Sequence, residues 1–181
     1  MNQRRYDAVV QQQVADLAAG VSLDACLVSA RAALRELAGY VDAQQLRWPA
    51  GAETYARHLL ARCPTTQVSL FAVVWRRGQI SAVHDHGTWG VVTVVAGTLF
   101  EESWTLGAAP PLTSRPPVSL TRGQVASFSN APTYVHRVTA RTDALSLHLY
   151  GDRVASYHVF DPATGARTCV DAQPADPPGQ S

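Results

Sequence analysis

The sequence predicts a mainly β molecule: a β-barrel carrying a small helical cap at its N-terminal end. Three observations predict it. Apolar residues recur at helical spacing up to about residue 63. From Gln67 onward β-branched and aromatic residues dominate in alternating runs. From that point turn signals also recur at short intervals. Helices first and strands after give an α+β order, and short strands between frequent turns give a barrel or sandwich. At 181 residues the chain fits a single domain, 1–181. Within it the pattern divides into a helical cap over about 1–64, a barrel over about 65–170 and a tail over 171–181.

In chain order, Val9, Val10, Val14, Leu17 and Ala18 share one face of a helix that Gly20 ends. Ser22 can cap a second helix, from about Leu23 to Tyr40, whose stripe is Leu23, Leu27, Ala30, Leu34 and Leu37. A short element is expected around Ala43–Trp48. Ala52 to Cys63, with Tyr55, Leu59 and Leu60 on one side, reads as a third helix stopped by Pro64. The first strand follows at Val68–Trp75. Turns are expected at Arg77-Gly78, Ala96-Gly97, Arg122-Gly123, Asn130–Pro132, Arg141–Asp143 and Gly151-Asp152. The tail after Val170 has no apolar periodicity.

Composition excludes several classes. Net charge is +1, with arginine (there is no lysine) balanced by acidic residues. This leaves no basic footprint for nucleic acid and no polybasic patch for a membrane. No run of about 18 apolar residues could span a bilayer. The N-terminus lacks the apolar core of a signal peptide. Cys26, Cys63 and Cys169 are far apart and form no framework, as expected of reduced thiols in a cytoplasmic protein. A monomer is the default expectation. A small polar or charged substrate fits this balance.

The chemistry concentrates in Ala82-Val83-His84-Asp85-His86-Gly87-Thr88-Trp89-Gly90. Within a strand, His84 and His86 would point to one face, and Asp85 to the other. Neutral imidazole is the commonest metal-ligating side chain. Two on one face supply two-thirds of a facial metal site. With Gly78, Gly90 and Gly97 at their spacings around them, these residues resemble the first motif of the cupin superfamily. That resemblance implies a double-stranded β-helix, or jelly-roll, barrel. Cupins usually place a carboxylate ligand where this chain has Gly90, so another residue must complete the site. Thr133-Tyr134-Val135-His136-Arg137-Val138 is similar to a degenerate second cupin motif, which makes His136 the third ligand.

A further pattern follows in Leu145-Ser146-Leu147-His148-Leu149-Tyr150. On a strand it sets three polar groups on one face and three leucines on the other. Facing solvent, it would be an ordinary edge strand. Facing inward, Ser146, His148 and Tyr150 would form a hydrogen-bonded row. No nucleophile elbow surrounds Ser146, so a serine-hydrolase reading fails.

The ordered set of His84-Asp85-His86, Val135-His136-Arg137-Val138 and Ser146-x-His148-x-Tyr150 resembles the thiol dioxygenases of the cysteine dioxygenase family. The similarity spans roughly Ala52 to Val170. It implies Fe(II) held by three histidines, a small thiol and O2 as substrates, and a sulfinic acid product. Tyr55-Ala56-Arg57 matches a family Tyr-x-Arg motif. By that resemblance Arg57 grips the substrate carboxylate and Tyr55 borders the substrate; a guanidinium fork pairs both carboxylate oxygens at once. Tyr150 donates a hydrogen bond at the reacting atoms, and His148 and Ser146 position it.

The chain also departs from the family. No cysteine follows the His-x-His pair, so Tyr150 is expected to carry no thioether cross-link. Gly151-Asp152 follows the tyrosine where cysteine-specific members have Ser-Pro, and this looks more like bacterial relatives acting on 3-mercaptopropionate. Those relatives take a carboxylate-binding arginine from the loop after the tyrosine, where Arg153 stands here. L-cysteine, 3-mercaptopropionate and mercaptosuccinate all carry the carboxylate. Another cupin metalloenzyme and a non-catalytic ligand-binding cupin are the competing classes. His58 and His158 read as structural or surface residues, Asp85 as a structural acceptor and Trp89 as packing.

Overall fold

The computed structural model describes residues 2–41, 53–107, 111–129, 134–152 and 154–172. The chain begins with two helices, α1 (Asn2–Ala18) and α2 (Leu23–Ala38). Gly20 closes α1 at φ 70°, and the N–H groups of Gly20 and Val21 donate to the carbonyls of Leu17 and Asp16. Ser22 caps α2, its hydroxyl accepting from the Ala25 N–H. The expected element at Ala43–Trp48 lies outside the described residues, as does the tail beyond 172.

The third helix expected over Ala52–Cys63 is instead a strand, β1 (Ala56–Arg62). Tyr55 therefore precedes a strand, and Arg57 lies on it. The triplet Tyr55, Leu59, Leu60 does not decide between the two conformations; the neighbouring strand does. β1 pairs antiparallel with β2 (Ser69–Trp75), and a register shift between Leu59 and Ala61 places adjacent Leu60 and Ala61 both inside the protein. That bulge breaks the simple alternation by which a strand is recognised. Pro64 opens the turn into β2 rather than ending a helix.

The remaining strands are β3 (Gly90–Ala96), β4 (Thr98–Thr105), β5 (Thr113–Ser114), β6 (Val118–Thr121), β7 (Val125–Phe128), β8 (Tyr134–Ala140), β9 (Ala144–Tyr150), β10 (Ser156–Phe160) and β11 (Arg167–Asp171). One sheet has the order β1-β2-β9-β3-β7. The other has β5-β4-β6, with β8 also paired to β4, while β10 and β11 form a separate ribbon. The expected barrel is therefore not closed by continuous pairing. Isolated bridges join its parts: Ile80 with Thr139, and His84 with both His136 and Val159.

Every residue of β2 and β9 is buried, because both faces of the five-stranded sheet are covered. Leu145, Leu147 and Leu149 on β9, with Leu70, Ala72 and Val74 on β2, pack against Val10, Ala30, Leu34 and Leu37 of the helices. The opposite face meets the second sheet, where Val73, Trp75 and Val94 pack with Leu99, Leu120 and Val138. Ser146, His148 and Tyr150 point the same way as Val73 and Val94, into the space between the sheets. No described helix is long and apolar enough to cross a membrane.

Candidate metal centre

His84 and His86 lie on an irregular segment before β3, not within a strand as expected. Local pairing holds that segment in place. His84 and His136 exchange both backbone hydrogen bonds, at 2.9 and 3.0 Å. The Asp85 N–H donates to the His158 carbonyl, and the Phe160 N–H to the Val83 carbonyl. The Asp85 side chain faces away from the site and accepts from the His158 backbone N–H (2.8 Å), with His158 Nδ1 3.0 Å from its other oxygen. His158 and Asp85 are thus structural, as their positions in the sequence suggest. His58 is fully buried on β1.

His136 comes from β8, opposite the segment that carries the other two imidazoles. The three ring centroids are 4.8 to 4.9 Å apart, and one nitrogen from each lies within 4.8 Å of the others. Two of the remaining nitrogens have partners. His84 Nδ1 meets the Ala82 carbonyl at 2.9 Å. His136 Nδ1 meets Glu101 Oε1 at 2.6 Å. The other nitrogen of His136, Nε2, is buried and has no hydrogen-bond partner. Leaving such a nitrogen dry and unpaired is costly. A metal ion would satisfy it. Burial, reinforced by the neighbouring histidines, lowers the pKa of His84 to about 3 and that of His86 well below its ordinary value. Both are held neutral, the form that ligates. This donor set fits a divalent transition metal, and the three histidines form a cluster able to hold one.

No carboxylate can join it from position 90. A Cβ on Gly90 would lie 2.4 Å from Phe128 Cζ and 3.1 Å from the Leu149 carbonyl oxygen. The Phe128 ring occupies that space and stacks on His86 at 4.3 Å. The expectation of a site without the usual cupin carboxylate therefore has a steric reason.

The polar row of β9 runs beside the cluster. Trp75 Nε1 donates to Ser146 Oγ at 3.0 Å. Ser146 Oγ lies 2.8 Å from His148 Nε2, and His148 Nδ1 lies 3.2 Å from the Tyr150 hydroxyl. Indole only donates, so the serine oxygen accepts from Trp75, and it keeps a second lone pair and its own proton for His148 Nε2. The tautomer of His148 then sets the direction of the contact with Tyr150. Burial holds His148 neutral, with its pKa lowered to about 3. Burial also raises Tyr150 well above an ordinary phenol, with Arg57 partly opposing it, so the hydroxyl stays protonated. The Tyr150 ring is 5.4 Å from that of His86. No cysteine neighbours Tyr150 in sequence, and the three cysteines are all unpaired.

A family model described as "Cysteine dioxygenase type I" matches residues 3–163. The chain belongs to this family. The family supports a dioxygenase reaction, and the three-histidine site and the row of β9 lie within the matched region. Solved structures with a similar backbone include TT1209 from Thermus thermophilus, at 17% identity over 62% of this chain and 96% of that one, with a TM-score of 0.48. Hydroquinone 1,2-dioxygenase from Sphingomonas sp. TTNP3 is 16% identical over 58% of this chain and 71% of that one (TM-score 0.47). KdgF from Halomonas sp. is 22% identical over 59% and 87% (TM-score 0.45).

The register of this cysteine dioxygenase-family chain places Arg57 opposite Val73, which is opposite Ser146, so all three share the inner face. Its charge acts on His84, His86, His148 and Tyr150. The Tyr55 ring lies 4.3 Å from that of Trp75, tilted by 33°. Arg153 lies outside the described residues.

Four residues escape a sequence reading. Trp75 and Phe128 look like ordinary strand aromatics. Tyr157 of β10 meets His84 edge-on at 5.7 Å. Glu101 of β4 is buried, with Tyr134 donating to the same carboxylate oxygen that meets His136. Burial works to raise the Glu101 pKa, but the His136 and Tyr134 contacts outweigh it and hold the carboxyl below its ordinary value. Period-2 alternation from the Gly97 turn groups Leu99, Glu101 and Ser103 on one face and Phe100 and Glu102 on the other, and does not by itself tell which face turns inward.

Proposed function

We propose that this chain is an Fe(II)-dependent thiol dioxygenase. It would oxidise a small carboxylate-bearing thiol, L-cysteine first among them, with O2. Both oxygen atoms would go to sulfur, so that a thiolate and O2 give a sulfinate with nothing left over. The observation that carries this reading is the buried row Ser146–His148–Tyr150 ending beside a three-histidine cluster, in a member of the cysteine dioxygenase family.

His84, His86 and His136 would hold the iron. Iron, when bound, supplies the redox chemistry that joins O2 to a coordinated thiolate. Arg57 would pair the substrate carboxylate and so fix the sulfur against the histidine face. Tyr150 would donate a hydrogen bond at the reacting atoms, and His148 and Ser146 would hold it there. Tyr55 would support the wall through Trp75.

One observation favours 3-mercaptopropionate as an alternative substrate. A Cβ on residue 151 would fall 1.9 Å from Trp89 Nε1, so the serine of cysteine-specific members cannot replace Gly151 without moving the indole. The loop after Tyr150 thus starts differently from theirs. Mercaptosuccinate fits the same carboxylate requirement. Oxygen uptake by the Fe(II)-loaded protein with these three thiols, with product mass read in parallel, tests the proposal. A gain of two oxygens on one thiol supports it and names the substrate. Iron-loaded protein that consumes no oxygen with any of them overturns it, in favour of another cupin metalloenzyme or a ligand-binding protein.

A further inference from the structure

Among the described residues, the third histidine is the one of the three that meets a carboxylate. Glu101 Oε1 lies 2.6 Å from His136 Nδ1 and also receives the Tyr134 hydroxyl. Both partners of the His136–Glu101 contact are nearly excluded from water, with side chains 7% and 10% exposed. Glu101 stands opposite Val138 on the β4–β8 ladder, one diagonal step from His136, so sheet register sets this contact. The neighbouring Glu102 points outward instead and pairs with Arg137 at 2.8 Å.

We propose that Glu101 is the positioning residue of the metal centre and supplies, through the imidazole of His136, the negative charge that the site cannot take from a direct carboxylate ligand. This rests on the reading of the three histidines as a metal site. The space beside Gly90 is filled by Phe128, so a ligating carboxylate is excluded there. A carboxylate accepting from Nδ1–H fixes the other nitrogen as the bare donor, and it is that nitrogen, Nε2, that is buried without a partner. It also makes the imidazole a more basic ligand. Tyr134 holds the carboxylate by donating to the same oxygen. The Tyr134 ring lies nearly parallel to Phe128 at 6.2 Å, so the ring that closes position 90 and the ring that clamps Glu101 are neighbours. Direct ligation by a carboxylate and indirect support by one are alternatives, and this chain uses the second.

The test is Co(II) binding to apo protein, followed by its visible ligand-field spectrum and by competition with a chelator. Glu101→Gln keeps the side chain's shape and an accepting oxygen while removing the charge. It should weaken Co(II) binding by about 10- to 100-fold, shift the spectrum, and leave the circular dichroism of the apo protein unchanged. Glu101→Gln binding Co(II) within about twofold of wild type, with an unshifted spectrum, overturns the proposal. Imidazole nitrogen NMR of the wild-type apo protein gives a second readout that needs no variant. His136 protonated on Nδ1 supports the proposal, and His136 protonated on Nε2 overturns it. Wild type that fails to bind Co(II) brings down the metal-site reading itself, together with this inference. Equal binding by wild type and Glu101→Gln brings down the inference alone.

Discussion

Single atoms decide much of this site. Gly90 is the clearest case, since it matters for the space it leaves rather than for its flexibility. Gly90→Ala should displace the Phe128 ring and with it the stack on His86. The overpacked variant should lose about 1–3 kcal/mol of stability, read as a fall in the thermal midpoint of the apo protein; an unchanged midpoint would show that the ring yields freely. Introducing glutamate at this position, to rebuild the usual cupin ligand, meets the same obstacle. At the ligands, His84→Ala should abolish stoichiometric metal binding. The remaining His86 and His136 sit on different elements and offer only two donors. Metal analysis after dialysis checks this, and full metal retention would falsify the ligand assignment.

At the scale of elements, β9 divides its labour by face. Its leucines seal the helical cap against the sheet, and Ser146, His148 and Tyr150 line the interior. The row ends at the Tyr150 hydroxyl, beside the histidine cluster. Tyr150→Phe should therefore keep metal and fold and slow thiol-dependent oxygen uptake by about 100-fold or more, as for loss of one aimed donor; an unaffected rate would remove the tyrosine from the reaction. β1 contributes the other half of the site. Arg57 reaches the interior because a strand, unlike the helix expected there, puts it level with Val73 and Ser146. Arg57→Gln should raise the KM for L-cysteine or 3-mercaptopropionate by roughly 10-fold or more, the effect of losing a charge-assisted pair. It should matter little for cysteamine, which has no carboxylate. Equal effects on both classes of thiol would assign Arg57 to structure instead.

At the scale of the whole molecule, burial has a consequence for pH. The folded chain holds His148 at a pKa of about 3, whereas a histidine in the unfolded chain titrates near 6.5. Between these values the unfolded chain binds a proton that the folded chain refuses. Stability therefore rises with pH across this window and is lost as pH falls below about 6.5. At pH 5 this one residue should cost on the order of 2 kcal/mol. Urea midpoints of the apo protein at pH 7.5 and pH 5 check this. His148→Gln should lose less on acidification than wild type, and an equal loss would place the acid sensitivity elsewhere.

Local pattern in the chain was enough to specify the histidines, the polar row, the two helices and the strand-rich remainder. Each is a short-range signal: a period of two or of 3.6, a capping serine, a pair of ligands two residues apart. The missing carboxylate was legible too, since Gly90 is a matter of composition at one position. The strand at Ala56–Arg62 was not, because pairing with a fully buried β2 and a bulge at Leu59–Ala61 override a short ambiguous pattern. Nor was the irregular segment that carries His84 and His86, which bridges to His136 and Val159 hold in place. Folding alone separated Glu101, turned inward onto His136, from Glu102, turned outward onto Arg137. Adjacent glutamates are chemically identical, and which one faces the interior depends on the register of β4 against β8, a relation between residues more than about thirty positions apart.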